Sequence, residues 1–249
     1  MPEPLSDQER KAGNIRPTRE GGSLIRRLGA WFFRRRMRID LRTFRSRVWE
    51  QSRKQERYAA SKLKAQAREP DTVRAMEIFK VLQTDPASGH TLLVELADQG
   101  SPWAMEELAI SHESGRYVKL DLNKSLRWYH KAVKASSFTA VISFARVLDK
   151  LGHHDRCDKF LSNNLDIGFP AIHFWLAWYR IKRSKSKNIY KEVKPLLEYA
   201  SKNGHIGAQV VFANSMARGR FGILDIPKGL KMLAKLHATA GKAWDAEPR

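Results

Sequence analysis

Side chains able to bind a transition metal crowd together in His153-His154-Asp155-x-Cys157-Asp158, which holds imidazole, carboxylate and thiol within six residues. A metal site needs ligands that converge from several directions, which immediate neighbours on one chain cannot easily do. No second cluster supplies the missing ligands, and Cys157 is the single cysteine, so disulfides and zinc sites built on paired cysteines are excluded. The segment reads as a solvated turn, and nothing around Cys157 marks a nucleophile. Gly-rich phosphate loops and a GxSxG elbow are also absent. These residues indicate no catalytic site, no metal, no cofactor and no small-molecule substrate, so the chain is expected not to be an enzyme.

Two other groups are suited to binding. Among His173, Phe174, Trp175, Trp178 and Tyr179, the stripe Ile172, Trp175, Leu176 and Tyr179 has the spacing of a helix face that packs in a core, which leaves Trp178 as the surface contact. Lys182-Arg183-Ser-Lys185-Ser-Lys187 reads as a basic loop tip able to touch an anionic partner. Far stronger is the front of the chain, where Trp31-Phe32-Phe33 precedes Arg34, Arg35, Arg36, Arg38, Arg42, Arg45 and Arg47. With Arg26 and Arg27 these make nine arginines between Leu24 and Trp49, against one acid, Asp40.

Met37, Leu41, Phe44 and Val48 recur at spacings of four, three and four, so this segment is expected to form a basic amphipathic helix. Its arginines suit an anionic membrane surface, nucleic-acid phosphates or the groove of a partner protein, and its apolar stripe could equally pack back onto the first hairpin. The continuation QSRKQERYAASKLKAQAREP is rich in helix formers and is expected to stop at Pro70.

The elements behind these residues follow from charge and punctuation. The 249 residues carry a formal net charge of +20, and residues 1–70 hold 19 Lys+Arg against 8 Asp+Glu, so the excess is concentrated in front. Residues 1–23 mix Pro, Gly, Glu, Arg and Ser and read as a disordered leader without the apolar run of a secretory signal. No stretch reaches the roughly 20 apolar residues of a membrane span. A cytoplasmic protein is expected, with attachment at the inner face of a membrane open to it. Residues 24–70 form the basic helical arm, and residues 71–249 a separate all-α domain of helical stretches divided by Gly, Asp, Asn or Pro.

That domain contains an internal repeat. GSPWA, SSFTA, GFPA and GHIGA end in Ala104, Ala140, Ala171 and Ala208, which are 36, 31 and 37 residues apart. Ala104 and Ala140 sit where two helices of a hairpin approach closely. Gly115 and Gly219 suit left-handed helix caps, Asp121 and Asp225 the N-termini that follow, and Pro227 a first helical turn. Trp128 and Tyr129 supply bulk between hairpins.

Ala104-x3-Leu108, Gly115, Val118, Asp121, Lys124, Trp128-Tyr129-x-Lys131-Ala132 and Ala140 resemble the Sel-one-like repeat, a relative of the tetratricopeptide repeat. The likeness spans roughly residues 90–245, including Gly204, Ala208, Gly219 and Asp225, with TLLVELADQG as a preceding half-repeat. It implies an α/α superhelix of stacked helix pairs, a protein-binding role as scaffold or adaptor, and no catalytic residues. The expected partner is a protein, with nucleic acid or an anionic membrane reached through residues 24–49.

Overall fold

A computed structural model describes residues 41–63, 65–186 and 188–245. The described residues are helical with no strand. The helix α1 spans Leu41–Lys62, and residues 63 and 65–70 after it are irregular. Five antiparallel pairs follow: α2 (Thr72–Thr84) with α3 (Pro86–Asp98), α4 (Pro102–Ser114) with α5 (Leu122–Lys134), α6 (Phe138–Lys150) with α7 (His154–Ser162), α8 (Pro170–Arg183) with α9 (Ile189–Lys202), and α10 (Ile206–Ala217) with α11 (Ile226–Asp245).

From α2 onward each helix packs on its chain neighbours, and α8 also reaches α6, so this part is a solenoid in which contacts are local in sequence. The expected half-repeat is a full hairpin, because Asp85 alone joins α2 to α3. Its backbone N–H closes α2 on the Val81 carbonyl at 2.7 Å, while its carboxylate accepts from the N–H groups of Ala87 and Ser88 to open α3.

Local chemistry sets the other boundaries. Ser101, Asp121 and Ser137 cap α4, α5 and α6 by accepting from the N–H groups three residues on. Gly115 ends α4 with φ of 70°, the left-handed cap that its position predicts. Between pairs, Gly100 and Gly204 occupy the left-handed region, and Ser136 takes the equivalent place with φ of 60°. Ala104, Ala140, Ala171 and Ala208 are all fully buried, so the repeat read from their spacing is a packing repeat.

The two layers of helices differ. Helix α4 buries Ala104, Met105, Leu108, Ala109, Ser111 and His112, covering most of its circumference, whereas α5 buries only Ser125, Tyr129 and Ala132. The first helix of each pair from α4 on is an inner element, and the second turns one face to solvent.

Candidate interaction surfaces

Residues 49–63 and 65–69 lie across the repeats. Trp49, Ser52, Glu56 and Ala60 share one face, and Ser52, Glu56 and Ala60 are buried. The Gln55 carboxamide accepts from the Ile206 N–H at 3.1 Å and donates to the Gly204 carbonyl, so it binds both sides of the turn that opens α10. Glu56 accepts at 2.8 Å from Nε2 of His205, whose Nδ1 accepts from the Ala208 N–H at 3.0 Å. These contacts assign His205 the Nε2–H tautomer. Its ring stacks on the buried Phe174 with centroids 4.4 Å apart.

Further along, Ala59 shares a small crevice with Phe169, Pro170 and Ala171 at the start of α8. Gln66 Oε1 accepts from the Phe138 N–H at 2.8 Å at the start of α6, beside a 3.2 Å bond from the Ala67 N–H to the Ser136 carbonyl. Glu69 accepts from the Ser101 hydroxyl at 2.6 Å and the Trp103 N–H at 3.3 Å at the start of α4. Residues 49–63 and 65–69 thus form a strap: Trp49 packs on the side of α8, and from Ser52 on the strap meets the openings of α10, α8, α6 and α4 in turn, opposite to their order in the chain. Helix N-termini carry unpaired N–H donors and partial positive charge, which carboxamide and carboxylate oxygens satisfy. At the opening of α8, Ala59 lines the crevice together with Gln55 and Glu56, and Pro170 has no N–H to offer there.

Two expectations change here. Helix α1 ends at Lys62, short of Pro70, because residues 66–69 are engaged with the openings of α6 and α4. Trp178, expected at the surface, stands edge-on to Trp49 of the strap at 5.2 Å, and Phe174, off the expected stripe, is fully buried. Helix α8 has neighbours on more sides than a single stripe allows.

The motif residues fall at defined places. Leu108, Tyr129 and Ala132 are buried with the four alanines, while Lys124 is exposed and Trp128 is half-buried under the Lys131 ammonium, 4.0 Å from its ring centre. Gly204 and Gly219 have φ of 84° and 66°. Asp121 accepts from the Lys124 N–H at 2.9 Å. Asp225 immediately precedes α11 and meets Lys194 at 3.3 Å.

Partly buried charges join neighbouring helices. Glu113 of α4 accepts from Arg146 and Lys150 of α6 and from the Tyr129 hydroxyl of α5. Burial alone would raise its carboxyl, but the hydrogen bonds from Arg146 and Lys150 overcome that and hold it at about 2. Asp149 of α6 meets His154 of α7 and Lys182 of α8, each at 3.1 Å. Asp158 of α7 pairs with Arg180 and Arg183 of α8.

Lys182 and Arg183 therefore occupy the last turn of a helix, where acids of earlier helices hold them, in place of the basic loop tip expected; Lys185 is exposed beyond it. His154 to Asp158 are likewise helical where a solvated turn was expected, with His153 the residue before the helix. Cys157 is fully buried, its thiol donating to the Ala145 carbonyl and pushed up to about 12 by burial, which keeps it protonated at neutral pH. Trp31, Phe32, Arg34, Arg35, Arg36 and Arg38 lie outside the described residues. Arg42 and Arg45 fall within α1.

No protein-family profile matches the chain, and no curated protein matches its sequence. Among solved structures it is similar to a Sel1 repeat protein from Oxalobacter formigenes, at 17% identity and a TM-score of 0.49 over 59% of this chain. The chain spans 61% of that protein's length. Its own geometry makes it an array of antiparallel helix hairpins. The strap escaped sequence reading because its partners at α10 lie about 150 residues away, and Gln55, Glu56 and Gln66 look like surface residues of any polar helix. The stripe of Trp49, Ser52, Glu56 and Ala60 was the one available signal.

Proposed function

We propose that this chain is a non-enzymatic interaction scaffold of the Sel-one-like kind, which holds a protein partner on its solenoid and uses the arginine-rich residues 24–49 to dock to a polyanion, a membrane surface or the partner. The observation that carries this reading is how the polar groups are used. The partly buried acids Glu69, Glu113, Asp149 and Asp158 cap a helix or neutralise cations, the buried Glu56 accepts from His205, the one thiol is sequestered, and the outer helix α5 turns four cations to solvent. A general acid or base needs freedom to exchange a proton with a substrate, and these groups are committed to structure. The reading places the protein in the cytoplasm, at the inner face of a membrane where the arm meets lipid.

The test is stoichiometric capture. The full chain, and a variant with Arg34, Arg35, Arg36 and Arg38 changed to Gln, are used as bait in host extract at low and high salt. A defined protein that coelutes with both baits at a fixed ratio on size exclusion supports the scaffold. The net charge of +20 favours a second reading, sequence-independent nucleic-acid binding. That reading gains if capture by the native chain disappears with nuclease and never occurs with the variant.

A further inference from the structure

The outer helix α5 carries a charge pattern that packing does not require. Lys124, Arg127, Lys131 and Lys134 are exposed at positions i, i+3, i+7 and i+10, while Ser125, Tyr129 and Ala132 face the core. The helix itself contains no acid, and Asp121, its cap, uses its carboxylate to accept from the Lys124 N–H. Among the described residues, none of the four cations is in an ion pair of the kind that holds Arg146, Lys150, Lys182 and Arg183, although Lys124 lies within the field of the cap Asp121. Lys131 lies over Trp128, so an aromatic ring flanks the row.

We infer that this stripe is the docking site for an acidic helix of a partner protein, one with Asp or Glu at the same i, i+3, i+7 and i+10 spacing. The proposal rests on the scaffold reading and names the surface and the partner chemistry. At 1.5 Å per residue the four positions span about 15 Å with axial steps of about 4.5, 6 and 4.5 Å. A second helix laid alongside repeats those steps and sets a carboxylate opposite each cation, in the side-by-side packing that the solenoid already uses. Phosphates of one duplex strand advance about 3.4 Å along the axis and fall out of step with the row. A duplex also presents two strands, and the row is a single line. A lipid surface would favour exposed apolar side chains between the cations, and there Tyr129 and Ala132 are turned inward while Trp128 is half-buried under Lys131.

The probes are a synthetic peptide with four glutamates at that spacing in an alanine and glutamine background, and a peptide of the same composition with the glutamates shuffled off it. Binding to the full chain is followed by fluorescence anisotropy at low and physiological salt. The spaced peptide should bind about tenfold or more tightly than the shuffled one, since four coupled ion pairs each contribute a fraction of a kcal/mol up to about one. Changing Lys124, Arg127, Lys131 and Lys134 to Gln should erase that difference while circular dichroism and Tm show the fold intact.

Equal binding of the two peptides, or an unchanged preference in the Gln variant, overturns the proposal. So does tighter binding of a thymidine oligonucleotide, or of phosphatidylglycerol vesicles, that is lost in the Gln variant. Such failure would remove the acidic helix and leave stoichiometric capture by the full chain standing, so the two readings fall separately.

Discussion

The openings of α4, α6, α8 and α10 and the outer face of α5 handle polar groups in opposite ways. At the openings, donors and partial positive charges are covered by a strap that brings an oxygen atom to α10, α6 and α4 and lines a crevice with Ala59 at α8. On α5 four full positive charges stand in a row that, among the described residues, has no ion pair, with the cap Asp121 near Lys124 at its start. Desolvated donors must be paired, because an unpaired one costs about 1–3 kcal/mol, whereas a solvated ammonium needs no protein partner. The contrast separates what holds the fold from what is left for a partner, and substitutions on each side should differ in size and in kind.

The largest loss is expected where the strap, α8 and α10 meet. Phe174 is fully buried and touches Trp49, Trp175 and His205. Phe174→Ala should cost about 3–5 kcal/mol in urea unfolding, because the cavity adds to the lost transfer energy. A loss under about 1 kcal/mol would mean that the strap does not seal this site.

Next is the polar junction beside it. Glu56→Ala leaves the buried Nε2–H of His205 with the Ser52 hydroxyl, 3.4 Å away, as its remaining acceptor, and should cost about 1–3 kcal/mol. Amide exchange at Ile206 and Ala208 should accelerate more than at Val141 or Ala145, since the former pair open α10 under the strap. Uniform acceleration would argue that Glu56 acts on global stability alone.

Glu113 offers a pH test inside the repeats. Its folded carboxyl is held near 2, below the ordinary 4.5, so its stabilisation is complete above about 4.5 and fades as pH falls toward 2. Glu113→Gln should flatten stability in that window while the native chain loses stability there. Parallel curves for the two would remove Glu113 as the acid-sensitive link between α4 and α6.

A smaller effect is expected from Gln66→Ala, which strips one acceptor from the Phe138 N–H while Ser137 still caps Ala140. About 1 kcal/mol should be lost, in the range of a helix cap. Gln66→Glu should recover most of it, because a carboxylate accepts the same bond and suits the positive helix end.

These contrasts also show what a sequence displays. The hairpins were legible because each signal is local: Ala104, Ala140, Ala171 and Ala208 mark close packing, Asp121 its own cap, and Gly115 a left-handed turn. The strap was not, because Gln55, Gln66 and Glu69 acquire meaning only from backbone donors far along the chain. Lys182 and Arg183 misled for a related reason. Their composition resembles a solvated loop, and only the fold sets Asp149 and Asp158 of two earlier helices against them. Trp178 likewise found its neighbour in Trp49, on an element whose position no periodicity within α8 reveals.

The smallest effect on stability is expected on α5, and its sign is informative. Changing Lys124, Arg127, Lys131 and Lys134 to Gln removes no ion pair and empties no cavity, so the change should stay within about 0.5 kcal/mol. Two forces set its direction. Like charges three and four residues apart on a helix repel, by about 0.2–0.5 kcal/mol per pair, so neutralising them should stabilise. Against that, Lys131 and Lys134 lie in the last turn, where they favour the helix dipole, and Lys131 loses its contact with Trp128. The repulsion is screened by salt, so the variant should gain slightly at low ionic strength and match the native chain at high ionic strength. A stability that rises on removal of the row, measured by urea unfolding at two salt concentrations, would mean that folding does not need these cations. A loss above about 1 kcal/mol would place the stripe with the strap, as structure.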